Sequence, residues 1–232
     1  MPIRIARHSL RLIAGATMAL VACSMNGCNI VAPIVIATSP EPTVPAQYTL
    51  QNRRTVVFID DRNNHISPTA LRRVMADRTT ELLMEKQIIS PDNAIRPRDA
   101  LALAASQDRN GELLSIGELG EAVGAEVVIY VRIEAFSSSI DGYKPQPAGG
   151  SLVKVMDITN QTRLFPDPAS EQSWARVSSV GREVSQSLYQ SRVSQRHIFE
   201  LLALQMGDDV AELFYDHTPD DVLGSNLNAP PR

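Results

Sequence analysis

The hydrophobic positions fall into blocks whose period changes along the chain. Thr55-Val56-Val57-Phe58-Ile59 is a compact β-branched and aromatic run, the pattern of a buried strand, and it stops at the polar turn Asp60-Asp61-Arg62-Asn63-Asn64. Ser67 is expected to cap a helix with Pro68 at its first position, and Leu71, Val74, Met75, Leu82 and Leu83 then share one helical stripe up to Lys86. Ile88-Ile89 is expected to open a short second strand before Pro91. Arg98 to Ser106 reads as a short alanine-rich helix with Leu101, Ala104 and Ala105 inward.

The sharpest local signal lies mid-chain. Ser115-Ile116-Gly117-Glu118 is a capping box, in which the Ser hydroxyl accepts from the N3 amide and the Glu reaches back to the Ser amide. Leu119, Ala122 and Val123 supply the apolar face of that helix, and Gly124 ends it. The strand Glu126 to Phe136 is apolar on both faces in its first half and alternates in its second, so one face there should be wet. Asp141 to Gly150 reads as a loop. Leu152–Ile158 and Thr162–Phe165 flank Asn160-Gln161 as a β-hairpin, and Trp174 to Val180 is expected to add a strand. Gly181 to Ser194 reads as a serine-rich loop, and a last helix from about Gln195 to Tyr215 buries Ile198, Leu201, Leu202, Met206, Val210, Leu213 and Phe214.

Helices between the strands Thr55–Ile59 and Val127–Ile133 make those two parallel, and the meander after them is antiparallel. The expected fold is therefore a single α/β (α+β) domain, with helices packed on one mixed sheet and a C-terminal helix. Its span is 53–217. A Pro-rich tether precedes it at 29–52, with Pro33, Pro40, Pro42 and Pro45. A polar tail, 218–232, follows.

The first 28 residues follow another logic. Arg4, Arg7 and Arg11 precede the short apolar run Leu12–Ala22, which is far below the roughly 20 residues needed to cross a bilayer. This is the order of a secretory signal. Leu20-Val21-Ala22-Cys23 and Met25-Asn26-Gly27-Cys28 each place a small residue before a cysteine, and the segment resembles a bacterial lipoprotein signal. That resemblance implies a lipidated cysteine, either Cys23 or Cys28. At ~0.8 kcal/mol per buried CH2, one acyl chain holds marginally and two or three hold stably. Site chemistry favours Cys23, because Asn26 suits such a signal poorly. The string Gly27-Cys28-Asn29-Ile30-Val31 favours Cys28, since it resembles the mature start of a family of uncharacterised planctomycete-type lipoproteins. Val56-Val57-Phe58-Ile59-Asp60-Asp61-Arg62 extends that resemblance along most of the chain. Neither cysteine is followed by Asp, the inner-membrane retention residue of enteric lipoproteins, so the resemblance implies an outer-membrane anchor facing the periplasm.

A broader resemblance covers about Arg53 to Phe165. Val123-Gly124-Ala125-Glu126-Val127-Val128-Ile129-Tyr130 and Val153-Lys154-Val155-Met156-Asp157-Ile158-Thr159-Asn160 are similar to a small envelope α/β domain. That domain occurs in the curli-secretion channel lipoprotein, the lipoprotein activators of penicillin-binding proteins and the N-terminal domain of the Tol-system translocation protein. The resemblance implies a fold more than a function.

Charge and cysteine usage narrow the classes. The 232 residues hold 22 Lys+Arg against 26 Asp+Glu, and loss of Arg4, Arg7 and Arg11 leaves 19 basic residues. An acidic mature chain argues against nucleic acid and against electrostatic docking on anionic lipid. The only cysteines are Cys23 and Cys28, which excludes a disulfide framework for the domain.

Few residues suggest chemistry. Asp60 and Asp61 end a strand where α/β proteins place ligands, and with Asn63, Asn64 and His65 they form a candidate oxygen-rich site or merely a solvated turn. His65, His197 and His217 lack metal-ligand spacing, so no metal and no cofactor is expected. The serines of Ser137-Ser138-Ser139 and of the Ser178–Ser194 stretch lack a nucleophile context. Gly117-x-x-Gly120-x-x-x-Gly124 lies in and at the end of a helix and reads as packing and a cap, not as a phosphate loop. Asn160-Gln161-Thr162 matches a glycosylation pattern by chance in a hairpin turn. Trp174, Tyr143 and Tyr189 lie in or beside loops and are candidate partner anchors.

The expected role is a non-enzymatic lipoprotein whose domain binds another envelope component, by the sheet edge or by the loops Asp141–Gly150 and Gly181–Ser194. The alternative is an envelope hydrolase or ligand-binding protein with its site near Asp60 and Asp61. A deep pocket with convergent charges there would mark it. A pore would need paired lipid-facing strands of about ten residues, which the pattern does not supply.

Overall fold

The run of β-branched residues at Thr55–Asp60 forms β1, and five of its six residues are buried. The computed structural model describes residues 43–109, 114–139, 145–185, 189 and 191–218. β1 lies between the two-residue β2 (Ala94–Ile95) and the long β3 (Val127–Ser137), parallel to both, with Phe58 opposite Tyr130 and Asp60 opposite Arg132. β4 (Ala148–Asp157) runs antiparallel to β3, and β5 (Thr162–Phe165) and β6 (Ala175–Val180) both pair antiparallel with β4. The result is a six-stranded mixed sheet in a single α/β domain.

Alternation along the strands sorts side chains between two cores. Val57, Ile59, Ile129, Val131, Val153 and Val155 face α1 (Ala70–Glu85) and the C-terminal α4 (Arg192–Ala211), where they meet Met75, Leu83, Leu202, Met206 and Phe214. Val56, Val128, Tyr130 and Ile158 face α2 (Pro97–Arg109) and α3 (Ile116–Val123), meeting Ala100 and Leu119. Each fully buried aliphatic side chain contributes on the order of 2 kcal/mol. α3 has the capping box in full, and Gly124 ends it at φ 71°. Gly120 is required by close approach, because a Cβ there would lie 2.6 Å from Ile158 Cγ1.

Several elements depart from the pattern read along the sequence. α1 begins at Ala70 with Thr69 at the cap position, not at Pro68; the Ser67–Pro68 bond is cis, and Pro68 O accepts from Leu71 N–H. Ile88-Ile89 forms no strand, because both amides donate to Leu83 O and close the end of α1. The short strand is Ala94–Ile95 instead. In α2 it is Ala100 that is buried, while Ala105 is exposed. Ala148-Gly149-Gly150 belongs to β4 rather than to a loop, and Met206 Sδ fills the place where a Gly149 Cβ would stand. α4 starts at Arg192, inside the stretch that composition marks as a loop, and Leu201 is only half-buried.

The described part of the proline-spaced stretch lies against the domain. Val44 pairs with His217, the Gln47 and Tyr48 amides donate to Leu213 O, and Leu50 is buried in the core. Arg53 then anchors the start of β1: its Nη1 lies 2.8 Å from Asp157 Oδ2, a carboxylate that also accepts the Asn160 amide in the hairpin turn. The hydrogen bond from Arg53 holds the Asp157 carboxyl well below the usual carboxylate range. Among the described residues, no helix is long and apolar enough to cross a membrane.

Candidate ligand-binding site

A cavity of about 940 Å³ opens where β1 ends. Its floor is the strand end: Phe58, Ile59, Asp60 and Asp61 of β1 and its turn, with Tyr130 of β3. One wall is the start of α1, with Thr69, Ala70, Arg72 and Arg73. The other is α2 and the entry to α3, with Leu101, Ala102, Ala104, Ala105, Leu114, Ile116 and Leu119. This is the C-terminal end of parallel strands, where α/β sheets present ligands, and the volume lies in the range of small-molecule sites.

The two aspartates of the turn are both buried, and they do different work. Asp61 faces inward: its Oδ1 accepts the His65 amide at 2.8 Å and its Oδ2 the Ile66 amide at 2.8 Å. Those bonds fold 61–66 into a turn and seat Ile66 in the core. Asp60 faces the cavity side of the sheet. Its Oδ2 accepts from Arg62 Nε at 2.8 Å and from the Tyr130 hydroxyl. Burial, reinforced by the Asp60 hydrogen bond, raises the Tyr130 phenol above its ordinary value, so it stays a neutral donor. We expect Asp61→Ala to lower stability by ~2 kcal/mol in urea unfolding, since the buried Ile66 amide and the part-buried His65 amide lose a charged acceptor.

Arginines ring the mouth: Arg62, Arg72, Arg73 and Arg98. Arg73 pairs with Asp77 at 3.7 Å on the outer face of α1, and Arg98 sits 3.6 Å from Asp99. Arg73 and Arg98 both act on the Asp77 carboxyl, so α1 and α2 bring the two guanidiniums to one seam. The acidic lining residues are Asp60, Asp61, Asp99 and Asp108. Among the described residues, no three His, Cys, Asp or Glu side chains converge to hold a metal ion.

The other candidates named from the sequence scatter. Cys23, Cys28 and Tyr143 lie outside the described residues, as does part of each candidate loop. His65 follows the Asp61 turn. His197 is on α4 with Nε2 buried and without a hydrogen-bond partner among the described residues, and His217 lies 3.4 Å from Glu212. Tyr189 and Ser138 hydroxyls bond each other, tying the approach to α4 to the end of β3. Trp174 is half-buried on the open sheet face, with the Arg132 guanidinium 4.6 Å and Lys154 Nζ 4.2 Å from its ring and Tyr130 5.8 Å away. Sequence pattern did not single out Tyr130, Arg72 or Arg98. Tyr130 looks like any strand residue, and only the register opposite Phe58, beside Asp60, could have marked it.

No family profile matches the chain, and no curated protein matches it. Solved structures do. The chain is similar to the PelC dodecamer subunit from Paraburkholderia phytofirmans at 13% identity and TM-score 0.36, covering 76% of this chain and 97% of that one. It is similar to the hypothetical protein CT253 from Chlamydia trachomatis at 17% identity and TM-score 0.37, covering 68% and 98%. It is also similar to lipoprotein GNA1162 from Neisseria meningitidis at 13% identity and TM-score 0.33, covering 62% and 95%.

Proposed function

We propose that the chain is a lipid-anchored protein of the bacterial cell envelope whose α/β domain binds another envelope component without catalysing a reaction. The anchor is Cys23 or Cys28, and the domain faces the periplasm from the outer membrane. The cavity at the end of β1 is the binding seat, in place of the sheet edge and the loops expected from the sequence; a pocket with convergent charges at Asp60 and Asp61 is the mark of the alternative reading and supports its ligand-binding form. The observation that carries this reading is the convergence of Asp60, Tyr130, Arg62, Arg72 and Arg98 on one open cavity of about 940 Å³. Binding is favoured over hydrolysis because both Asp61 oxygens are taken by backbone amides and Asp60 Oδ2 already accepts from Arg62 and Tyr130, an arrangement that holds the carboxylate as an ion-pair partner.

A photocrosslinking residue at Ala102, on the cavity wall, tests the seat in intact cells, with the same residue at exposed Val180, the last of β6, as the comparison. The expected result is capture from position 102, together with a mature N-terminus that carries diacylglyceryl and acyl mass on Cys23 or Cys28. Capture from position 180 alone would move the seat to the sheet edge. An unmodified soluble product, or turnover of an envelope substrate by the purified chain, would overturn the reading.

A further inference from the structure

We infer that the cavity is built for an amphipathic anion: an alkyl chain lying on the α2 wall, with a carboxylate or phosphate head held by Arg72 and Arg98. The inference rests on the cavity being the binding seat. Charge comes first. Of the four acidic side chains in the lining, Asp61 is spent on two backbone amides, Asp60 on Arg62 and Tyr130, and Asp99 on Arg96 and Arg98. Asp108 sits at the far end of α2. Arg72 lines the same space without an acidic partner among the described residues, and Arg98 is held only by a loose 3.6 Å contact with Asp99 and by its longer-range attraction to Asp77. The lining holds four arginines and four aspartates, but the aspartates at the strand end are already engaged and Arg72 is not, which leaves its guanidinium available for charge-assisted binding of a planar or tetrahedral oxyanion.

The position of Arg72 points the same way. It lies in the first turn of α1, which holds no acidic residue. A cation in the first turn of a helix opposes the macrodipole and weakens the helix. Helix stability does not explain it, and a ligand anion would.

The apolar body follows from the opposite wall. α2 presents Leu101, Ala102, Ala104 and Ala105 to the cavity and buries Ala100 against the sheet. Leu114, Ile116 and Leu119 continue that surface. Leu101, Ala104, Leu114 and Ile116 are half-buried and line the cavity, with no other layer over them among the described residues. No side chain at 101, 102, 104 or 105 can hydrogen-bond, so a peptide laid there would leave its backbone groups unpaired. An alkyl chain asks for no such partners.

The test uses the full-length lipidated chain in nanodiscs with a diazirine-bearing C14 fatty acid as probe. The C14 methyl ester, the C14 monoalkyl phosphate and inorganic phosphate serve as comparisons. The free acid should label peptides spanning Leu101–Ala105 and Leu114–Leu119. The methyl ester should label them about tenfold less, as should the free acid on an Arg72→Ala/Arg98→Ala chain whose thermal melt matches wild type. Competition by the monoalkyl phosphate assigns the head to phosphate as well as carboxylate; lack of it restricts the head to carboxylate. Inorganic phosphate should not compete, and competition by it would overturn the need for an alkyl body. Equal labelling by acid and ester, or labelling unchanged in the double variant, would overturn the anion. If the probe fails while position 102 still captures a component in cells, the lipid class falls and the seat stands. If both fail, the seat falls too.

Discussion

Asp209→Asn will stabilise the domain at pH 8 by about 3 kcal/mol and remove most of the stability lost between pH 5 and pH 8. Asp209 lies near the C-terminal end of α4 and accepts a hydrogen bond from the Ser179 hydroxyl of β6. Burial pushes its carboxyl up to about 7, with Glu212 and Asp208 adding to the rise and Ser179 and His217 opposing it. An unfolded aspartate titrates near 3.9. Between about pH 4 and pH 7 the folded chain therefore holds a proton that the unfolded chain has released, so stability falls as pH rises through that window. Asparagine keeps an acceptor for Ser179 and carries no charge. Urea unfolding of both chains from pH 5 to pH 8 measures the difference. A variant that is weaker at pH 8, or that keeps the wild-type slope, would show that the carboxyl is not the source. Below pH 4 the slope changes sign, because Asp157 is held low by Arg53 and its contribution is lost as acid protonates it. Glu212 and His217 lie beside Asp209, and His217 pairs with Val44, where the chain arrives from its N-terminal segment.

What the sequence disclosed, and what it hid, follow from the kind of interaction at each place. α3 and β3 were legible because a capping box, an αL glycine and a two-sided apolar run are local signals. The parallel pairing of β1 with β3 followed from the helices between them. β2 was hidden because two residues held by backbone bonds leave no period to read. Gly149-Gly150 looked like a loop, and only Met206, more than fifty residues later, explains a glycine inside β4. The site divides the same way. Asp60 and Asp61 could be found because a strand end is marked by composition. Their different roles could not, because the turn at 61–66 and the Tyr130 register decide them. Arg72 and Arg98 read as solvated helix surface, since nothing local tells a residue that another helix stands across a cavity from it.

Gly207→Val will cost about 3 kcal/mol or more, and Gly207→Ala will also destabilise, against its intrinsic tendency. In an exposed helix the alanine would gain about 1 kcal/mol over glycine. Here α4 crosses α1 so closely that a Cβ at 207 would sit 2.8 Å from Met75 O and 3.1 Å from Arg78 Cβ. The nearest atom is backbone and cannot swing aside. Two polar contacts fix the approach: the Thr79 hydroxyl donates to Gly207 O at 2.9 Å, and Arg78 Nε meets buried Asp208 at 2.5 Å. A methyl group must therefore separate the helices, stretching both bonds and opening space beside Met75 and Met206. The two γ-methyl groups of valine enlarge the shift and restrict its rotamers. Thermal melts of the two variants, with Gly117→Ala in α3 as the comparison, separate crossing from propensity. A Cβ at Gly117 has nothing closer than 3.9 Å, so that substitution should stabilise or be neutral. Gly207→Ala melting at or above wild type would mean that α1 and α4 do not cross at this distance.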